Sequence, residues 1–190
     1  SPDKSASKTT ELLTTHSDYA GPPARVRRMS ESQYKNTIAY VFGADVRVGT
    51  VFAPLRRTDG LLASGAAVAG VTLGELQQIQ RSASSIANQI IDKGSSEQPS
   101  RRDFLIPCKP ADSTSSDDIC AAKFIKNTGR LLYRRPLSEE RVAEFVREAK
   151  SGAEELNDFY AGLALVIEGM LIDPKVIFVA DTTEPDPNNP

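Results

Sequence analysis

Two cysteines constrain the fold of this chain more than any other feature. Cys108 and Cys120 are its only cysteines, and the loop between them is short and polar. A bond that closes such a loop is expected to stabilise the folded state by roughly 3 kcal/mol in the chain-entropy model. An even cysteine count without a CxxC motif is typical of exported proteins. The sequence therefore favours a disulfide, and the alternative is a pair of free buried thiols.

Capping residues followed by apolar residues at helical spacing predict about five helices. Ser30-x-x-Gln33 and Thr72-x-x-Glu75 are capping boxes, and an apolar stripe that starts at Leu73 and Leu76 follows the second box. The helices are predicted at Ser30–Gly43, Thr72–Gly94, Asp117 or Asp118 to about Tyr133, from Ser138 onwards, and about Ala153–Ile172. We therefore expect an all-α fold, an irregular bundle of about five helices with long loops and one disulfide-closed loop.

The stretches between these helices give weaker signals. Val46–Val48 and Thr50–Phe52 are candidate extended pieces, and Phe104–Ile106 is expected to anchor its loop to the core. Val176–Ala180 is predicted to be a strand or an extended strap, with Leu156 inside the helix before it. The chain is predicted to divide into a flexible lead (1–24), a first helical module (25–94), a disulfide-stapled helical module (95–180) and an acidic, proline-rich linker or tail (181–190).

Composition and missing motifs exclude several functions. A net charge of −2 and a pI of about 5.5 argue against nucleic acid as the main partner, and no apolar run is long enough to cross a membrane. His16 is the only histidine and lies in the predicted lead, so we expect no metal site and no Ser-His-Asp triad. The polar start is typical of a mature N-terminus after signal-peptide removal, which predicts a periplasmic or secreted protein.

Arginines occur in four adjacent pairs. These are 27–28, 56–57, 101–102 and 134–135. One interpretation is that they are solvated helix ends and loop anchors. The other is that the planar guanidinium groups bind carboxylate or phosphate.

Two stretches of sequence together carry a resemblance. The first runs from Val26-Arg27-Arg28-Met29-Ser30 to Gln33-Tyr34-Lys35-Asn36-Thr37. The second combines Cys108, Cys120-Ala121, the run Tyr133–Ser138 (YRRPLS) and the run Gly162–Phe178 (GLALVIEGMLIDPKVIF). Their order and spacing resemble a module of large secreted planctomycete-type proteins that accompany, or are fused to, a c-type cytochrome domain.

The resemblance implies a domain of unknown function in an exported, redox-linked bacterial protein. The sequence has no CxxCH motif, so we expect no cofactor in this chain. Any c-type haem is expected on a partner. The resembling proteins continue into a larger helical domain. We therefore expect a second protein chain as partner, either the C-terminal part of the same precursor or a cytochrome.

The resemblance also singles out candidate site residues. Tyr34, Asn36, Arg134 and Arg135 fall in the resembling motifs and have either structural or ligand-binding roles, and Arg135 is expected to bond helix-end carbonyls. Glu168 lies inside the apolar stripe of the last helix. It is either a rim carboxylate paired with an arginine or an acid with a perturbed pKa in a pocket.

Two main hypotheses for function follow. In the first, the chain is a non-catalytic helical module or subunit that docks a catalytic or haem-bearing partner. In the second, it contributes residues to an oxidoreductase active site shared with that partner, and a pocket that gathers Tyr34, Arg134, Arg135 and Glu168 would favour this. A stand-alone ligand-binding or carbohydrate-binding domain is a weaker option, because the chain contains no tryptophan to stack on sugars.

Overall fold

The computed structural model describes residues 25–49, 52–53, 71–95 and 100–181. Within these ranges the chain forms seven helices and two short strands. The helices are α1 (Glu31–Phe42), α2 (Leu73–Ile90), α3 (Arg101–Leu105), α4 (Asp118–Leu132), α5 (Glu139–Leu156), α6 (Phe159–Ile172) and α7 (Pro174–Ile177), and the strands are β1 (Arg25–Arg28) and β2 (Phe178–Asp181). The prediction of an all-α irregular bundle is confirmed. The predicted lead and nearly all of the predicted tail lie outside the described residues.

Helix α6 lies at the centre of the bundle. It packs most extensively against α5 and α2, and its side chains are buried on almost every side. Gly162 allows α5 to approach α6 closely, because a Cβ atom at this position would overlap the backbone of Ala149 and Ala153. The core cluster takes residues from α1 and α2 as well as from α4 to α7. The predicted division at residues 94 and 95 stays a prediction.

The helices run up and down between two ends of the bundle. We call one the sheet end, which consists of β1, β2, α7 and the turn Tyr133–Ser138. There β1 pairs antiparallel with β2, from Arg25 opposite Asp181 to Arg28 opposite Phe178. We call the other the disulfide end, which consists of α3, the loop Cys108–Cys120 and the junction between α5 and α6. That loop contacts the junction, where the Phe159 amide donates to the carbonyl of Ser113 at 2.9 Å.

The start of α2 differs from the predicted stripe. Leu73 and Leu76 are 74% and 45% exposed, and Glu75 is buried in their place. The apolar face of the helix begins instead at Ile79 and continues through Ala83 and Ile86. The helix is rotated this way because Glu75 is bonded inside the protein, as described below.

The boundary between α5 and α6 was predicted wrongly. Ala153–Leu156 belong to α5, and Leu156 is 52% exposed rather than inside. Asn157 ends α5 in the left-handed conformation, which asparagine tolerates better than most residues. Asp158 then caps α6 by accepting from the amides of Tyr160 and Ala161.

Three connecting segments agree with expectation only in part. Residues 46–49 form no strand, although the side chain of Gln89 bonds both the N–H and the carbonyl of Arg47 at 2.9 Å. The anchor at Phe104–Ile106 spans the end of the short helix α3 and the residue after it, and Ile106 is buried whereas Phe104 is 87% exposed. The predicted strap Val176–Ala180 comprises the end of α7 and most of β2.

We expect Gly162→Ala to lower the free energy of unfolding by about 1–3 kcal/mol, because its Cβ must push apart two packed helices. Gly169→Ala is the control in the same helix. A Cβ there meets nothing within 4 Å, so the better helix propensity of alanine should add about 0.5–1 kcal/mol. Urea unfolding of both variants measures the difference. Equal effects of the two substitutions would contradict the close approach of α5 and α6.

Candidate functional site

A buried ion pair joins the first resembling motif to α2. Arg28 Nη1 donates to Glu75 Oε1 at 2.7 Å, and both side chains are almost completely buried. Arg28 Nη2 also donates to the Ala53 carbonyl at 3.0 Å, and the guanidinium lies 5.0 Å from the ring centroid of Phe52. A buried ion pair is tolerated only when further hydrogen bonds satisfy its partners, and the bond from Nη2 to Ala53 is one such hydrogen bond of Arg28.

The carboxylate of Glu75 also accepts further hydrogen bonds. Its Oε1 accepts from the Ala53 amide at 3.0 Å, and its Oε2 accepts from the Thr72 amide and hydroxyl at 2.9 and 3.0 Å. Burial alone opposes ionisation of Glu75, but these hydrogen bonds and the one from Arg28 outweigh it and lower its pKa to about 2. Glu75 therefore stays ionised inside the protein.

Tyr34 lies in the core beside this ion pair. Its ring meets Phe52 edge to face at a centroid distance of 5.7 Å, and the residue has no exposed surface. The hydroxyl has no hydrogen-bond partner in the described part of the chain. Burial raises the pKa of Tyr34 above its usual value. Tyr34 therefore has a packing role in this structure.

Asn36 and Glu168 lie away from this cluster. Asn36 is exposed on α1, and Glu168 is half-buried on α6. Glu168 forms no ion pair with any described residue, so the pairing with an arginine, one of its two suggested roles, is not seen in this part of the chain. Neither of the two cavities described below gathers Tyr34, Arg134, Arg135 and Glu168, and only Arg135 lines one of them.

The two arginines of the YRRPLS run have different environments. Arg134 adopts a positive φ of 59° and donates through Nη2 to the carbonyls of Lys175, Val176 and Phe178 at 3.0 to 3.3 Å. It thus ties the turn after α4 to α7 and β2. We expected this carbonyl bonding of Arg135, but it is Arg134 that makes it.

Arg135 lies in a groove of about 290 Å³ at the sheet end. The groove is lined by Tyr133, Arg135, Pro136, Leu137, Ser138, Arg141 and Lys175. The Tyr133 hydroxyl donates to Asp173 at 2.7 Å, and Arg141 pairs with Glu144 at 2.7 Å and with Asp173 at 3.5 Å. Burial, together with the bond to Asp173, raises the pKa of Tyr133. Three cationic side chains from three segments therefore surround one small groove.

The predicted disulfide is present at the opposite end. Cys108 and Cys120 are bonded, with their Cα atoms 5.6 Å apart. Cys120 is buried at the start of α4, where its amide donates to the capping Asp117 at 2.9 Å. Arg102 stacks 4.1 Å above the ring of Tyr160, so α3 contacts α6 as well. These contacts hold the cysteine loop against the bundle.

A larger cleft opens at the disulfide end. It has a volume of about 610 Å³ and is lined by Phe42, Gly43, Asp45, Arg47, Gln89, Asp92, Ser100, Arg101 and Phe104. Arg101 bridges its walls through a 2.6 Å ion pair with Asp45. Phe104 lines the cleft, and its ring is exposed to solvent. Its exposed aromatic ring and mixed charges suit binding of another molecule's surface.

Most of the side chains that line these two cavities were not predicted from the sequence. Phe104 was assigned to the core, because an apolar triplet gives no indication of which member faces out. Lys175 and Arg141 line the same groove because Arg141 of α5 pairs with Asp173, which directly precedes α7, and no local motif encodes this contact. The capping box at Thr72 did indicate Glu75, although not its burial.

Neither a membrane-spanning helix nor a metal-binding cluster is present in residues 25–49, 52–53, 71–95 and 100–181. None of the helices in these ranges is long and apolar enough to cross a membrane. The same ranges contain no group of three or more histidine, cysteine or acidic residues placed to hold a metal ion.

We expect Glu75→Gln to lower the free energy of unfolding at pH 7 by about 3–5 kcal/mol, because it removes the carboxylate charge that pairs with the buried guanidinium of Arg28. The pKa of Glu75 is lower in the folded protein than its ordinary value of 4.5. Its contribution to stability is therefore complete above pH 4.5 and is lost as the pH falls towards 2. Urea unfolding between pH 2 and pH 7 should show a shallower pH dependence in Glu75→Gln.

Glu139→Gln is the control for this substitution. Glu139 pairs with Lys126 at 2.8 Å on the surface, and such pairs contribute about 0–1 kcal/mol. A loss as small in Glu75→Gln as in Glu139→Gln would show that the buried pair is not important for stability.

We expect Tyr34→Phe to leave stability unchanged or to raise it by about 1 kcal/mol, because it removes a buried hydroxyl that has no partner. Tyr133→Phe should instead cost about 1.5–3 kcal/mol, because it removes a hydrogen bond to the charged Asp173. Thermal unfolding of the two variants at pH 7 makes the comparison. A large loss in Tyr34→Phe would reveal a bonding partner for its hydroxyl.

One family model matches part of this chain. Residues 120–181 match PSD5, described as a protein of unknown function (DUF1595). The matched segment starts at the second cysteine, inside α4, and ends with β2, so it contains most of α4, all of α5 to α7, both arginines of the turn and the groove. No curated protein and no solved structure matches the chain. The comparison supports the predicted domain of unknown function in the second half of the chain.

Proposed function

We propose that this chain is a non-catalytic helical module of an exported bacterial protein complex and docks a second protein chain at its disulfide end. The observation that carries this proposal is Phe104. Its ring is 87% exposed on the wall of a cleft of about 610 Å³. Large aromatic side chains beside a cavity are the usual anchors of protein–protein interfaces.

The short helix α3 holds Phe104 in a fixed position. Ser100 caps the helix by accepting from the Asp103 amide at 3.2 Å, and the Arg102 amide donates to the Asp92 carbonyl at 3.2 Å. Ile106 is buried directly after the helix, and the disulfide follows. Anchoring on both sides lowers the entropy lost when a partner covers the ring.

The internal roles of the motif residues also support a module without its own catalysis. Arg28 donates hydrogen bonds to Glu75 and to the Ala53 carbonyl, and Arg134 donates to three carbonyls of α7 and β2. Of the four candidate residues in the resembling motifs, Tyr34 packs in the core and Arg134 bonds three carbonyls, whereas Asn36 and Arg135 are exposed.

The disulfide supports the exported location, since such bonds persist in oxidising compartments. The resemblance to cytochrome-associated proteins supports a redox-linked partner. We therefore propose that the partner carries the catalytic group or the c-type haem, and that it is a cytochrome or the C-terminal part of the same precursor.

Purification of the native assembly tests the partner proposal. The intact mass should exceed that of this chain, and a visible absorption spectrum should show haem if the partner is a cytochrome. A native species with the mass of this chain alone would overturn the proposal.

We expect Phe104→Ala to weaken binding of the purified partner by about tenfold or more, because a central aromatic anchor typically contributes 2 kcal/mol or more. Tyr40→Ala is the matched control. Tyr40 is 79% exposed on α1 and does not line the cleft, so its loss should change the affinity little. Isothermal titration calorimetry measures both. Equal affinities for Phe104→Ala and the unmodified chain would place the interface elsewhere.

A further inference from the structure

We infer that the groove beside Arg135 binds an oxyanion, either a carboxylate or a phosphate group. The groove lies at the sheet end, away from the cleft that contains Phe104, and the inference does not rest on the docking proposal. Its basis is the side-chain chemistry of the turn between α4 and α5 and of the facing helix α7.

Almost every residue of the turn Tyr133–Ser138 makes a contact that stabilises the fold. Tyr133 is bonded to Asp173, and Arg134 holds three carbonyls. Leu137 fills the space that a side chain at Gly129 would occupy, so the turn is packed tightly onto α4. Ser138 caps α5 by accepting from the Arg141 amide at 3.2 Å.

Arg135 is the exception in this turn. Its side chain is exposed and makes no hydrogen bond or ion pair with any described residue. Pro136 follows it and restricts the backbone on both sides of the peptide bond. A rigid turn therefore presents an arginine whose five donors are available to a ligand.

Lys175 faces the same groove from α7. Its backbone is bonded on both sides, because its amide donates to Asp173 at 2.8 Å and its carbonyl accepts from Arg134 at 3.0 Å. Its ammonium group has no partner among the described residues. The bonds made by Arg134 thus fix the position of the Lys175 backbone relative to the turn that carries Arg135.

The two carboxylates that contact the residues of the groove already have hydrogen-bond and ion-pair partners. Asp173 accepts from Tyr133 and from the Lys175 amide and pairs with Arg141, and Glu144 is paired with Arg141. Two cations, Arg135 and Lys175, therefore remain without a counter-charge in this part of the chain. An incoming oxyanion supplies the missing charge.

The chemistry of the two cations defines the ligand. A guanidinium fork donates hydrogen bonds to two oxygens of a planar or tetrahedral oxyanion, and an ammonium group supplies a third contact as a point charge. Glu139 and Glu140 lie in the first turn of α5 and offset its helix dipole. Binding therefore depends on the side chains of Arg135 and Lys175, and the volume of about 290 Å³ suits a single small group.

The test titrates the full chain, labelled with ¹⁵N, with inorganic phosphate and separately with an acetylated peptide that carries one glutamate, at constant ionic strength. We expect saturable amide shifts at Arg135, Ser138 and Lys175. Arg135→Ala and Lys175→Ala should each weaken binding by about tenfold or more, the equivalent of one lost charged hydrogen bond. Whichever probe binds more tightly identifies the source of the oxyanion.

Lys93→Ala is the matched control, because Lys93 is an exposed lysine after α2. It should bind the probes as the unmodified chain does. Both groove variants remove side chains without internal bonds, so their melting temperatures should be unchanged. Shifts that do not saturate with either probe, or equal weakening in Lys93→Ala, would overturn the inference.

Discussion

The buried pair of Arg28 and Glu75 is the interaction on which the arrangement of the first half of the structure depends. It joins β1 to α2 and, through Ala53, to the segment between them. Removing two charges from water costs several kcal/mol for each ion, and this cost is offset only by good geometry and full hydrogen bonding. The pair therefore specifies one rotation of α2. That rotation places Glu75 inside and exposes Leu73 and Leu76, in opposition to the apolar pattern of the helix.

The same logic applies to the arginine pairs in general. In each of the three described pairs at least one arginine makes a specific internal contact: Arg28 with Glu75, Arg101 with Asp45 and Arg102 with Tyr160, and Arg134 with three carbonyls. The pair 56–57 lies outside the described residues. Two adjacent arginines in a turn point in different directions, so one can bond inward while its neighbour stays accessible. Adjacent arginines therefore need not share a function.

The success of the sequence-based predictions depended on whether the signal was local. The capping boxes at Ser30 and Thr72 predicted the starts of two helices correctly, because the capping bonds involve residues close in sequence. The disulfide was also predicted. The junction at Asn157 was missed because both flanking segments are apolar at helical spacing and no glycine or proline separates them. Strand β1, the exposure of Phe104 and the groove beside Arg135 depend on tertiary contacts that single segments do not encode.

The two cavities lie at opposite ends of the bundle and share no lining residue. The sheet end is rigid and cationic, because Arg134 and the Arg28–Glu75 pair hold its segments while Arg135 and Lys175 remain available. The disulfide end presents an aromatic ring on a short helix anchored by Ile106 and Cys108. Occupation of one cavity leaves the other open. The two proposals are therefore compatible, because a protein chain that covers Phe104 would leave the groove beside Arg135 open to an oxyanion. The central helix α6, from Phe159 at the disulfide end to Ile172 at the sheet end, is one of the helices that extend between the two cavities.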